Sequence, residues 1–186
     1  MDITYIVLIV QIVIGILALA FALHQISLLK EQLLLLETQI KEHSLQIQES
    51  RLWDIKKATF EYCEKYSLLI RSIDDETLKK LNLIEYRDEK QNIEYFKKLV
   101  AQDPEIEKKL FVILDYFEIL CTGIMSSYFN EIIAKNILYK AVVSAYKSLS
   151  PYILIRRDAS GVDVYEHFKI IALKWQQYAS DIGVNT

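Results

Sequence analysis

The sequence predicts an all-α protein: an N-terminal transmembrane helix that continues into a coiled-coil-like helix, then a compact helical bundle domain. Three observations carry this expectation. Residues 3–23 hold no charged side chain. A heptad seam follows at once, over residues 26–47. The rest of the 186 residues repeats apolar side chains at helical spacing, with four Gly and two Pro in the whole chain. So few breakers disfavour hairpins and long loops and favour helices joined by short turns. The expected division is an anchor over 1–25, a stalk over 26–50 and a helical domain over 51–186.

The anchor comes first. The run ITYIVLIVQIVIGILALAFAL offers Thr4, Tyr5 and Gln11 as its only clearly polar side chains. About 20 apolar residues in helical form span a hydrocarbon core of ~30 Å. In lipid every peptide group must be satisfied within the segment, so the run must be a helix. The rival is a cleaved signal peptide, favoured by the small residues Ala18, Ala20 and Ala22. No Lys or Arg precedes the run, and the helical pattern continues past Ala22, which favours a retained anchor. The first cations, Lys30 and Lys41, follow the span. By the positive-inside rule the remainder then lies in the cytoplasm, with a single pass through the inner membrane.

The stalk is set by Ile26, Leu29, Leu33, Leu36, Ile40, His43 and Ile47, which step by three and four in alternation. That is an a/d seam, and it predicts self-association. Leu28, Leu34, Leu35 and Leu45 widen the apolar face. A wide face fits more than two helices, or one helix packed on its own domain. His43 interrupts the seam, either as a pH-responsive site or as a polar residue where the seam frays.

The domain begins with WDIKKATFEYCEKYSLLIRSI, read as a continuation of the same long helix. Asp74 or Asp75 caps a short helix through Leu83, and a polar helix covers about 86–101. Asp103-Pro104-Glu105 is a start signal, with an N-cap acid, Pro at the first helical position and an acid at the positive end of the dipole. The helix it opens is apolar nearly all round over 110–125 and is the expected central buried element. Another helix runs from an Asn130 cap to about 149, where Pro151 is expected to bend or restart the chain. A last helix covers about 164–180, with the stripe Val164, Phe168, Ile171, Trp175 and Tyr178. Asp163 and Glu166 have the spacing of a capping box, and Gly161 serves the turn before it.

Composition and motifs exclude several functions. The net charge of −3 gives no general affinity for nucleic acid. Lys56-Lys57, Lys79-Lys80, Lys97-Lys98 and Lys108-Lys109 each have acids nearby and read as solvated faces. The twelve tyrosines read as packing residues with a polar tip. Cys63 and Cys121 form no C-x-x-C and read as buried free thiols in a reducing compartment. No phosphate loop, dinucleotide fingerprint, nucleophile elbow or metal-ligand cluster occurs, so no cofactor and no metal are expected. Expected partners are membrane lipid, further copies of the chain and a protein partner.

Two constellations remain. Asp115 and Glu118 are the charges inside the apolar run and share one helix face. Buried acids require partners, and Arg156 and Arg157 are the expected ones, as a structural ion-pair cluster or a binding site. Arg157 and His167 are the candidate catalytic pair for a HEPN-like ribonuclease, in which Arg steadies phosphate and His moves a proton. HEPN domains use R-x(4–6)-H, whereas nine residues separate Arg157 from His167. The spacing does not fit.

LDYFEILCTGIM, SPYILIRRD and VYEHFKIIALKWQ together resemble an uncharacterised bacterial family of membrane-anchored helical domains. The resemblance rests on Asp115–Glu118, Arg156-Arg157 and Tyr165…Phe168…Trp175, and departs at His167, where that family favours an amide. It implies an anchor, a coiled segment and a helical domain, and no enzymatic activity. In architecture alone the chain is also similar to the pore-forming accessory proteins of type VI-B CRISPR systems. The expected function is therefore a membrane-tethered, self-associating, non-enzymatic module, plausibly in phage defence. A tethered ribonuclease and a plain coiled-coil scaffold are the alternatives.

Overall fold

In a computed structural model, which describes residues 3–82 and 89–181, the chain is all-α. Its helices are α1 (Ile3–Ser72), α2 (Asp75–Asn82), α3 (Glu89–Gln102), α4 (Pro104–Met125), α5 (Glu131–Ser160) and α6 (Glu166–Asp181). Leu83 and residues 86–88, expected in two of these helices, lie outside the described residues. The chain divides into two units, Met1–Leu52 and Trp53–Thr186.

The first unit is the leading part of α1. Its most apolar stretch reaches a mean hydropathy of 2.3 with none of it buried, which makes α1 a candidate membrane span. Thr38 and Ser44 turn their hydroxyls back onto Leu34 O at 2.9 Å and Lys41 O at 2.8 Å. Thr38 and Ser44 are thus satisfied on their own helix.

The second unit is built around α4. Local caps fix where its helices begin. Asp74 accepts from the Thr77 N–H at 2.8 Å. Asp103 accepts from the Glu105 N–H at 3.2 Å, with Pro104 at the first helical position. Asn130 accepts from the Ile133 N–H at 3.0 Å. Each cap uses a donor that a helix start leaves free.

α4 is buried along most of its length, with Leu114, Leu120 and Cys121 at 0% exposure. α1 covers it through two tyrosines. The Tyr62 hydroxyl donates to Tyr116 O, and the Tyr116 hydroxyl donates to Tyr62 O, both at 3.0 Å. Their rings stack at 4.9 Å between centroids. α6 covers another side, where Phe168 stacks on Phe117 at 5.0 Å. Phe168, Ile171 and Trp175 are buried as the stripe predicts, whereas Tyr178 at its end is exposed.

Pro151 does not end α5. The helix runs through it to Ser160 and closes on Gly161, whose φ of 65° is left-handed. A proline inside a helix costs about 3 kcal/mol and strands the carbonyl four residues back. Here that carbonyl belongs to Lys147, and the Ser150 hydroxyl donates to it at 3.2 Å. Leu149, Tyr152 and Ile153 on either side are buried, so a break at Pro151 would pull this face from the core.

Glu131 ties α5 to α6. It accepts from Lys174 Nζ at 2.7 Å and from Trp175 Nε1 at 3.1 Å. Burial pushes its carboxyl up, but these two hydrogen bonds outweigh burial and hold it below the usual glutamate range. A carboxyl lowered on folding stabilises above its unfolded value, and that contribution is lost as pH falls through the folded one. The Glu131→Gln variant should therefore lose stability at neutral pH and show a flatter loss on acidification, measured by thermal unfolding between pH 7 and pH 3.

Gly123 fixes the turn from α4 to α5. Its carbonyl accepts from the Tyr128 N–H at 2.8 Å and the Phe129 N–H at 2.9 Å. A Cβ at this position would run into the Phe129 ring, itself buried. Elsewhere in a helix Gly→Ala gains up to about 1 kcal/mol. Here Gly123→Ala should cost about 1–3 kcal/mol by overpacking, read as a lowered unfolding midpoint. A raised midpoint would contradict the packing described.

Candidate functional site

Two places in the chain carry polar or unpartnered groups that need an account. One is the seam of α1. The other is the joint where α4, α5 and α6 meet.

At the joint, a face of α4 presents Glu107, Asp115, Glu118 and Thr122. Each meets a side chain or backbone group from α5, from the approach to α6 or from its first turn. Glu107 accepts from the Tyr152 hydroxyl at 3.0 Å and lies 3.8 Å from Arg156. The Arg156 guanidinium also sits 4.7 Å from the centre of the Phe111 ring. Asp115 accepts from the Tyr165 hydroxyl at 3.3 Å. Burial, and then the Asp115 carboxylate, push that hydroxyl up to about 12, so it remains a donor.

Glu118 has a distinct role. It accepts from the backbone N–H of His167 at 3.3 Å and of Phe168 at 2.9 Å. Those are the second and third residues of α6, whose N–H groups have no partner within the helix. A carboxylate from α4 therefore caps α6, with the favourable charge for that end of the dipole. Glu118 also lies 2.8 Å from His167 Nδ1, and Thr122 Oγ1 lies 3.3 Å from the same nitrogen.

This geometry corrects three expectations. Asp115 and Glu118 do not pair with Arg156 and Arg157. Asp115 is exposed and Glu118 is 23% exposed, so neither is a deeply buried acid that needs a cation. Arg157 turns the other way. It donates to Val164 O at 2.9 Å and to Glu166 at 2.8 Å, and lies 3.6 Å from Asp163. The Asp163–Glu166 capping box is likewise replaced, because Arg157 holds both acids and Glu118 supplies the cap. α6 accordingly starts at Glu166 rather than 164, after Tyr165 in a left-handed conformation with φ of 60°.

As a catalytic pair Arg157 and His167 are divided between two networks. The arginine, 14% exposed, secures the turn before α6; the histidine faces Glu118. Among the described residues no group of three metal-ligating side chains occurs. Cys63 and Cys121 are buried and free, and burial pushes both thiols up, Cys63 to about 11. Both therefore stay protonated and weakly nucleophilic at neutral pH. Spacing alone puts Asp115 and Glu118 on one face, whereas Glu107 and Tyr152 have no local signal in the sequence and Tyr165 enters only through the family resemblance.

The seam has a different character. Ile26, Leu29, Leu33, Leu36, Ile40 and Ile47 are each between 55% and 67% exposed. His43 is exposed as well, and so are the flanking Leu28, Leu34, Leu35 and Leu45. The stalk offers a continuous apolar face with no partner within its unit.

Residues 7–175 match the family described as domain of unknown function DUF4760. The chain belongs to that family. No curated protein and no solved structure matches it. The match to DUF4760 begins within the apolar run and ends at Trp175, so it takes in most of the candidate span, the heptad seam and the bundle together.

The cap ranks the joint's side chains. Glu118→Ala should cost about 1–2 kcal/mol and speed hydrogen exchange at the Phe168 amide, since both N–H groups lose their acceptor. His167→Ala should cost less than half as much and leave that amide protected, because Glu118 keeps its backbone bonds. Equal effects of the two substitutions would show that Glu118 works through the imidazole and not through the helix end.

Proposed function

We propose that this DUF4760 protein is a membrane-anchored, self-associating, non-enzymatic interaction module. The exposed apolar seam of α1 carries the reading. A helix that is apolar all round belongs in a membrane or a core, and residues 12–23 of α1 have no cover in the single chain. The seam beyond them has heptad spacing, which is the pattern by which helices bury such a face against copies of themselves. Each Leu or Ile buried there gains roughly 1.5–3 kcal/mol.

The anchor holds the Trp53–Thr186 unit beside the bilayer, on the cytoplasmic side given Lys30 and Lys41 after the span. That the family's unit includes the apolar run supports a retained anchor over a discarded leader. The commitment of Arg157 to the α5–α6 turn favours a binding role over RNA cleavage.

The full chain in detergent or nanodiscs should have an oligomer's mass by light scattering at micromolar concentration. Leu33→Glu with Ile40→Glu puts carboxylates into the seam and should return the mass to that of one chain, with helix content unchanged. A single-chain mass for the unaltered protein would overturn self-association. Recovery of the protein from the soluble fraction would overturn the anchor.

A further inference from the structure

The apolar layers of the seam do not fix how two copies of the chain align. Ile26, Leu33, Ile40 and Ile47 hold heptad position a, and Leu29 and Leu36 hold position d. A slip of one heptad sets Leu33 against Ile40 and Leu29 against Leu36, so these layers stay apolar. The polar residues of the same helix are not indifferent. His43 continues the d column after Leu36. Gln25, Gln32, Gln39 and Gln46 hold position g, beside the seam, in four successive heptads. Position e carries Lys30, Glu37, Ser44 and Arg51. All nine are exposed in the single chain and lie within the Met1–Leu52 unit.

We propose that a second copy of this chain covers the seam, parallel and with no offset, and that His43 and the four glutamines set that alignment. The pairing rests on the anchored, self-associating reading above, and the shared direction of the spans makes it parallel. In a parallel pair each d residue meets its own counterpart, and each g residue meets e of the next heptad on the other chain. With no offset His43 meets His43, and one neutral imidazole donates to a ring nitrogen of the other. Gln25 then meets Lys30, Gln32 meets Glu37, Gln39 meets Ser44 and Gln46 meets Arg51. An amide offers both donor and acceptor, so glutamine suits cation, anion and hydroxyl alike. A column of lysine or glutamate at g would meet like charges. A slip of one heptad breaks the pattern, because one His43 falls against Leu36 and one Gln25 against Leu23. Each polar group then loses its partner. A polar residue within an apolar seam selects the alignment in this way, at some loss of stability.

The surroundings of the His43 layer make it sensitive to acid. Ile40, Ser44 and Ile47 of the facing chain surround each ring, with Gln39 and Gln46 on its own helix. The titrating group that faces each ring is therefore the second His43. Lys41 and Glu42 stand at b and c, away from the seam, and Glu37 and Arg51 stand at e, more than a turn distant. Imidazole takes up a proton near pH ~6.5, and two cations would then face each other in the layer.

The test uses full chains produced together in one cell, each with its own tag. One carries Ile26→Cys and the other Leu33→Cys, and both are oxidised in isolated membranes. Cys63 and Cys121 are buried, so the unaltered chain should form no disulfide between copies. Same-position disulfides are expected, with the mixed product at background. His43→Leu with Gln25→Leu in both chains should raise the mixed product at least about fivefold, with the oligomer's mass retained. No rise would overturn the role of these residues. Mixed and same-position disulfides in equal yield, without those two substitutions, overturn the register. An oligomer's mass with no disulfide at either position overturns parallel pairing through the seam. Lowering the pH from 7.5 to 5.5 should weaken association about tenfold in the unaltered chain and leave His43→Leu unaffected. An equal response of the two overturns the His43 layer. A single-chain mass overturns self-association itself and this proposal with it, whereas the other adverse outcomes leave self-association standing.

Discussion

A helix with apolar side chains on almost every face can stay in water only if every face is covered, and α4 is such a helix. Its burial is the constraint from which the rest of the Trp53–Thr186 unit follows. Tyr62 and Tyr116 meet that demand on one side with stacked rings and exchanged hydrogen bonds to each other's backbone. Phe168 and Phe117 meet it on another. α4 leaves Val112 and Ile119 exposed and, beside them, an acidic face on which Glu107, Asp115 and Glu118 each find a donor. Packing decides where α4 lies, and the polar joint decides how α5 and α6 approach it.

The joint contributes more through order than through charge. Pairs such as Arg156–Glu107 at 3.8 Å are partly exposed and are worth little in stability. The Glu118 cap differs, because it satisfies two backbone donors that would otherwise end a helix unpaired against the core. Arg157 acts in the same way on the preceding turn, where one guanidinium joins a backbone carbonyl to two carboxylates. Together they allow α6 to begin directly after a tyrosine held in a left-handed conformation, without a capping side chain of its own.

What the sequence makes legible and what it hides divides along the same line. Asp103-Pro104 and Asn130 cap from within one turn, so spacing alone reveals them. The buried stripe of α6 and the apolar run of α4 follow from a 3.6-residue period. Glu118 caps from 49 and 50 residues before the two N–H groups it serves, and no local pattern records that. Asp163 and Glu166 imitate a capping box because the spacing is right, yet Arg157 claims both acids. Pro151 reads as a breaker by its ring; its tolerance depends on Ser150 and on the buried Leu149, Tyr152 and Ile153 on either side. Each miss is a case in which tertiary contacts outweigh a local preference.

The seam reverses this logic. Its heptad spacing is fully legible, and the single chain leaves it unused. In the bundle, apolar residues at helical spacing are covered by the chain's own helices. In the stalk the same kind of residue stays exposed over some seven turns. A sequence selected for a lone soluble helix would carry charges at Leu33, Leu36 and Ile40. The apolar choice at those positions calls for cover from beyond the stalk helix itself. If the apolar run that precedes it spans a bilayer, as proposed, each chain is restricted to a plane and the effective concentration of neighbouring seams rises without any new contact. On the proposed reading an anchor and a seam on one helix would reinforce each other, and the DUF4760 match takes in both the apolar run and the seam.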